Sequence, residues 1–285
     1  MTRENTVKKR SFFDFMIYFI VKIKNDDIFA LASQLAYYLI LSFFPFIIFL
    51  MTLVGFSHLN SKQVLDGLKG ILPLSVYELT KSTIMEVFDF QYTGLLGVSL
   101  FLALWTASSA FRAVIKGINK AYNFKETRSF IKRLMISMSS ILLLAITIIL
   151  ALTLLVFGDV ISKYLEGILP FYDVLIVVWD LFRYAFIFIL MIFIFASIYR
   201  VAPPKKLMWR DVLPGAVFST IGWVIISYAF SFYINNFSNY SRFYGSLGAV
   251  FILMTWLFLI SIIFILGVEI NCVIEQVTKR TNMIE

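Results

Sequence analysis

The 285-residue chain is 60% hydrophobic and 15% charged, has a net charge of +8 and a mean hydropathy of +0.88. Soluble domains are roughly 45–50% apolar and about 25% charged, so water is excluded as the main solvent and lipid takes its place. A single cysteine (Cys272) excludes an intrachain disulfide, and a single histidine (His58) excludes a zinc site built from several His and Cys side chains.

Taken in chain order, residues 1–27 read as a cytoplasmic N-terminus. Within them, Ser11–Lys24 (SFFDFMIYFIVKIK) places Phe12, Phe15, Met16, Phe19 and Ile23 at helical spacing between flanking lysines. This pattern predicts an amphipathic helix lying in the membrane interface. No short apolar run with a small-residue cleavage site follows it, so a signal peptide is not expected.

Six windows then lack Asp, Glu, Lys and Arg: Ile28–Ser57, Phe90–Phe111, Leu134–Gly158, Tyr184–Tyr199, Val212–Ser241 and Phe243–Val268. About 20 apolar residues cross a bilayer as a helix. The fourth window reaches that length when extended back to Val174, which brings in Asp180 and Arg183 at a pairing distance of i, i+3. The expected fold is all-α: a polytopic bundle of six transmembrane helices over residues 28–275, with a cytoplasmic tail at 276–285.

Lys and Arg counts set the expected orientation. The segments on one side carry six, seven, four and two, giving 19; those on the other carry three, two and one, giving 6. That bias predicts both termini inside. It also accounts for most of the basic excess, so no nucleic acid partner is expected.

Polar groups in a hydrocarbon span must be satisfied, which makes them the first places to look for function. In the first span Gln34, Tyr38 and Ser42 share a face, beside Tyr37 and ahead of Pro45, which frees a carbonyl near Leu41. A polar stripe leading to a helix break suits a substrate path; a kinked packing helix has the same pattern. The second span ends WTASSAFRAVIKGINKAY. Trp105 and Ser108 precede a basic face of Arg112, Lys116, Asn119 and Lys120, which could attract a phosphate or lipid headgroup, although topology alone also calls for those charges. The double proline of Tyr199–Lys206 (YRVAPPKK) ends the fourth span beside Arg200. Asp211 is expected to cap the fifth helix, with Pro214 in its first turn. Glu269, at the cytoplasmic boundary of the last span, is expected to pair with Arg112 or Arg200. Between spans five and six, Tyr240, Phe243 and Tyr244 fit an aromatic belt.

The chain has no Gly-rich phosphate loop, HExxH or nucleophile elbow, so no catalytic residue, metal site or cofactor is assigned.

Taken together, several segments resemble the YihY/virulence factor BrkB family, once labelled ribonuclease BN. They are QLAYYLILSFFPF (Gln34–Phe46), WTASSAFRAVIKGINKAYN (Trp105–Asn123), YRVAPPKK, LPGAVFSTIGW (Leu213–Trp223) and the stretch Ser231–Asn271 ending LGVEIN. The resemblance covers about residues 10–275 and implies a six-helix bacterial inner-membrane protein. Its members have been linked to transport of lipids or small phosphodiesters, and the ribonuclease label is widely regarded as a misassignment. It puts weight on Gln34, Tyr37, Pro45, Trp105, Arg112, Asn119, Tyr122, Arg200, Pro203, Pro214, Gly215, Tyr244, Gly245, Gly248, Glu269 and Asn271 as motif positions.

The expected function is therefore that of a transporter or flippase-like protein for a lipid or a small phosphate-bearing amphiphile, with membrane lipids as partners. Gln34, Tyr37, Tyr38, Ser42, Pro45, Trp105, Ser108, Asn119, Tyr244 and Asn271 are the expected path. Arg112 and Arg200 would attract the anion and Glu269 would hold them. A non-transporting envelope scaffold and a membrane-embedded lipid enzyme are the alternatives.

Overall fold

The computed structural model describes residues 15–55, 65–66, 77–78, 81, 85, 96–165, 172–237 and 246–281. Long helices account for nearly all of them: α1 (residues 15–25), α2 (Ile28–Gly55), α3 (Leu96–Ala121), α4 (Phe130–Leu165), α5 (Tyr172–Val201), α6 (Trp209–Phe237) and α7 (Ser246–Thr281). No strand occurs among the described residues. Four segments there are long and apolar enough to cross a membrane: Phe130–Leu150, Tyr184–Val201, Trp209–Ile234 and Val250–Thr278. The shorter apolar stretch Ile28–Phe43 belongs to α2. Most of the long connection His58–Gln91, residues 238–245 with Tyr240, Phe243 and Tyr244, and the side chains of Asp180 and Arg183 lie outside the described residues.

The helices outrun the charge-free windows. α3 continues past Phe111 through Arg112, Lys116 and Lys120, and α7 continues past Val268 to Thr281. A charge-free window marks only the part of a helix that suits hydrocarbon; backbone hydrogen bonding carries the helix on wherever solvent accepts its charges. α3 stops in a Schellman arrangement. Phe124 N–H donates to the Asn119 carbonyl at 2.8 Å, Asn123 N–H donates to the Lys120 carbonyl at 3.0 Å, and Asn123 takes a φ of 53°. Asparagine tolerates this left-handed position better than most residues. α1 joins α2 through Asp27, whose φ is 49°.

Helix contacts run in a ring, α2 to α7 to α6 to α5 to α4 to α3 and back to α2, with α7 also touching α3 across it. The α2–α3 and α6–α7 seams are extensive, whereas the α4–α5 seam is thin. One apolar cluster, including Leu31, Phe111, Ile118, Ile265 and Val268, fills the middle of the ring; a second, around Leu253 and Trp256, packs α2, α6 and α7.

The α6–α7 crossing is close because both helices present glycine. A Cβ on Gly215 would collide with the Gly267 carbonyl oxygen, and one on Gly267 would stand 2.7 Å from the Tyr199 hydroxyl. Small residues of this kind let membrane helices approach until their backbones touch. Beside the contact, the Tyr199 hydroxyl donates to the Phe264 carbonyl at 2.9 Å and lies 2.8 Å from Ser219 Oγ, joining α5, α6 and α7.

Pro214 falls inside α6 and not in its first turn, because the helix starts at Trp209, earlier than its charge-free window. Asp211 does act at the N-terminus, accepting from Met208 N–H at 3.2 Å. The proline removes one rung of the backbone ladder. Asn271 of α7 steps in close by: its Oδ1 accepts from Gly215 N–H at 2.6 Å and its Nδ2 donates to the Val212 carbonyl at 3.1 Å.

Replacing glycine by alanine inside a helix ordinarily gains about 0.5–1 kcal/mol. At Gly215 the sign should reverse, because overpacking costs about 1–3 kcal/mol. Gly215→Ala is expected to lower the melting temperature in detergent, and Gly215→Val to lower it further. Unchanged melting of both would show that the crossing is looser than described.

Candidate functional site

At one end of the bundle α1, the end of α3, the 122–129 connection, the start of α4 and the end of α7 enclose a cavity of about 810 Å³. Five cations line it: Lys22, Arg112, Lys116, Lys120 and Arg133; the lining carboxylates are Asp26 and Glu126. The spacing of the α3 residues explains much of this. Arg112, Lys116, Asn119 and Lys120 recur at three- and four-residue intervals, so one helix face presents them all.

The pairing within the wall leaves an excess of positive charge. Glu126 is taken by Arg128, whose Nε and Nη2 reach its two carboxylate oxygens, each at 2.8 Å. Arg128 also donates to the Ala202 carbonyl at 2.7 Å, and Asn119 Nδ2 donates to Glu126 at 2.9 Å. The Arg128 bonds pull the Glu126 carboxyl down to about 2, against the upward push of its burial. Lys120 stands 3.5 Å from Asp27. Arg112, Lys116 and Arg133 have no carboxylate partner among the described residues. Arg112 is held in place by two hydroxyls and a ring, donating to Ser108 Oγ at 2.8 Å and Ser109 Oγ at 2.6 Å, with its guanidinium over Trp105.

The floor of the cavity is tied by Lys22. Its ammonium donates to Asp26 at 2.7 Å and to the Ala121 carbonyl at 2.5 Å, and stands 3.1 Å from a Glu269 carboxylate oxygen. Burial pushes the Lys22 ammonium down, yet the Asp26 bond and the negative charge around it, Glu269 included, hold it above the ordinary lysine value. Glu269 is 0% exposed. Cys272, one turn on, donates its thiol to the same Ala121 carbonyl at 3.3 Å.

Of the residues singled out in the sequence, the structure brings Arg112 and Asn119 into the cavity wall, with Ser108 and Trp105 supporting Arg112. Glu269 pairs with Lys22 and with neither Arg112 nor Arg200; the arginines are engaged elsewhere, while α1 brings its lysine to α7. Arg200 donates to the Leu207 carbonyl at 3.1 Å and lies 4.7 Å over the Trp209 ring, outside the cavity lining. Tyr37 is 53% exposed on the outside of α2, and Gln34, like Tyr37, is not in the lining. Ser42 spends its hydroxyl on the carbonyls of Tyr38 and Leu39 in its own helix, three residues before Pro45. Asn271 is buried against α6 as described above. Lys22, Asn25, Asp26, Glu126, Arg133 and Gln276 were not among the expected site residues, since they come from separate segments with no shared motif.

Residues 19–284 match the family described as virulence factor BrkB. The chain belongs to the BrkB family. A relative, the ribonuclease-like protein YfkH of Bacillus subtilis, is 38% identical over 248 residues, covering 87% of this chain and 90% of YfkH. A UPF0761 membrane protein of Alteromonas mediterranea is 26% identical, covering 89% of this chain and 85% of the relative. One from Pseudoalteromonas atlantica is 25% identical, covering 92% and 86%. No solved structure matches the chain. This is a membrane protein of a bacterial family, and the BrkB match includes every residue that lines the cavity.

Two predictions follow from the charges of this BrkB site. Lys22→Met should cost about 3–5 kcal/mol in detergent unfolding, because it strands a buried carboxylate; adding Glu269→Met should restore most of the loss. A double variant no more stable than Lys22→Met would mean that the pair is not coupled. Glu126 titrates near 2 in the folded chain against an ordinary 4.5. Its contribution is therefore complete above about pH 4.5 and fades as the pH falls towards about 2. Glu126→Gln should destabilise by about 1–3 kcal/mol at neutral pH. The gap to wild type should close between about pH 5 and pH 2; a gap independent of pH would overturn the assignment.

Proposed function

We propose that this BrkB-family protein moves an amphiphilic or phosphate-bearing substrate across the bacterial inner membrane. In this reading α2 to α7 supply six spans with both termini in the cytoplasm, and the cationic cavity is the cytoplasmic vestibule. The observation that carries the reading is the surplus of cations, Arg112, Lys116 and Arg133, that have no carboxylate partner among the described residues and line a cavity of about 810 Å³. An uncompensated cluster of like charges is maintained against its own repulsion, and an anion from solution relieves it. Arg112, oriented by two serine hydroxyls, presents a planar fork suited to phosphate oxygens.

Beyond the cavity the ring is closed by apolar side chains such as Ile118 and Ile265. A substrate would need a second conformation in which α3 and α7 part, and Gly117 of α3, against which Ile265 packs, stands at that seam. The same closed centre favours a second reading, a membrane scaffold that binds anions without moving them.

Reconstitution into liposomes separates the two. Arg112→Gln and Arg133→Gln should each weaken phosphate-ester binding about ten- to hundredfold, the worth of one charged hydrogen bond, with unchanged melting. Transport should fall with it. Binding without any flux would select the scaffold, and normal transport by both variants would sink the vestibule assignment.

A further inference from the structure

A second concavity runs along the thin seam between α4 and α5, about 460 Å³ in volume and separate from the cationic wall. Phe111 and Lys132 line this groove, whereas their chain neighbours Arg112 and Arg133 line the cavity, so the two recesses lie on opposite flanks of the α3–α4 contact. The groove opens outward: Met135 is 64% exposed and Leu143 61% exposed on one wall, and Phe193 is half-exposed on the other.

Its chemistry is graded along its length. Lys132 sits at one end, near the start of α4, and is the only charged group in the lining among the described residues. Its ammonium makes no ion pair there. Past Met135 and Ile136 come three hydroxyls, Ser139 and Ser140 on α4 and Ser197 on α5. Serine and threonine in membrane helices usually return their hydroxyl to a carbonyl one turn back, as Ser137 and Thr147 of the same helix do. Ser139, Ser140 and Ser197 make no such bond among the described residues. Farther along, Leu143, Leu144 and Ile194 leave the walls apolar.

At about 1.5 Å per residue, Lys132 to Ser140 spans about 12 Å. Cation, hydroxyls and apolar wall therefore follow the order in which a phospholipid presents phosphate, ester oxygens and acyl chain, and the flexible lysine stem can shorten the reach from the first to the second. Interior packing would leave neither a groove in a helix seam nor three hydroxyls without a partner among the described residues, since unsatisfied polar groups in hydrocarbon are expensive.

We propose that the α4–α5 groove is a binding site for one anionic phospholipid, held with its phosphate at Lys132, its ester oxygens at Ser140 and Ser197 and an acyl chain along Leu143 and Leu144. The lipid completes the thin seam and needs no transport by the cavity, so the site stands whether or not the vestibule reading holds.

Native mass spectrometry of the full chain in detergent, titrated with phosphatidylglycerol or phosphatidylcholine, tests it. Wild type should retain one phosphatidylglycerol about fivefold more tightly than phosphatidylcholine, the effect of one lysine near an anionic group. Lys132→Gln, an exposed position where folding is not at stake, should remove the preference, and Lys132→Arg should restore it. Ser140→Leu combined with Ser197→Leu should reduce retention of both lipids. Arg112→Gln should change none of this. Equal retention of the two lipids by wild type would mean annular lipid only, and an undiminished preference in Lys132→Gln would place the bound lipid elsewhere. A preference lost in Arg112→Gln but kept in Lys132→Gln would move the anionic lipid to the cavity. Each of these results overturns the proposal.

Discussion

A carboxylate with no exposed surface must be answered by a cation, and around Glu269 that answer comes from outside the ring. Lys22 reaches in from the short helix before the bundle and, with the same ammonium, satisfies the last carbonyl of α3. One side chain thus sets the position of α1, the end of α3 and the lower half of α7 relative to each other. Removing both charges and removing one are different events energetically, because the surviving partner would be left desolvated and alone. The cavity wall inherits its geometry from this tie: α3 hangs its basic face from a helix whose end is fixed there.

α7 owes its central place to having two polar edges. Phe264, Gly267 and Asn271 face α5 and α6, where a tyrosine hydroxyl, a glycine backbone and a proline-disturbed turn need close partners. Ile265, Glu269 and Cys272 face α3 and α1. Hydrogen bonds to backbone groups, and not a hydrophobic drive between helices, discriminate one partner from another in lipid, since the tails are as apolar as leucine. The α4–α5 seam has no comparable polar link among the described residues and is correspondingly thin.

The helical membrane class was legible from the sequence because charge-free windows of sufficient length are a direct record of hydrocarbon. The ends of the helices were not, since a helix in water at a membrane surface looks like a charged loop to such a window; α3 beyond Phe111 and α6 before Val212 are the instances. The basic face of α3 was readable from its three- and four-residue spacing. Its completion by Arg133, Glu126 and Gln276 was not, because these positions converge only after the ring closes. Glu269 was recognisable as a charge at the boundary of the last span in need of a partner, but the expected partners were Arg112 and Arg200, because spacing carries no information about which helix folds over which. Asn271 and Gly215 lie far apart in the chain and declare their contact only through the backbone they share.

The ion pair between Lys22 and Glu269 joins helices that are far apart in the chain, with the whole ring between them. Such a contact has a large loop to close and cannot form until α7 has been made. During synthesis the opening helix would wait at the surface with its lysine solvated while the intervening helices insert. Only the arrival of α7 would draw it into place and seal the base of the bundle. Assembly would then end as a single closing event, and a chain shortened before Glu269 would lack the means to fasten its own beginning, however completely its other helices had entered the membrane.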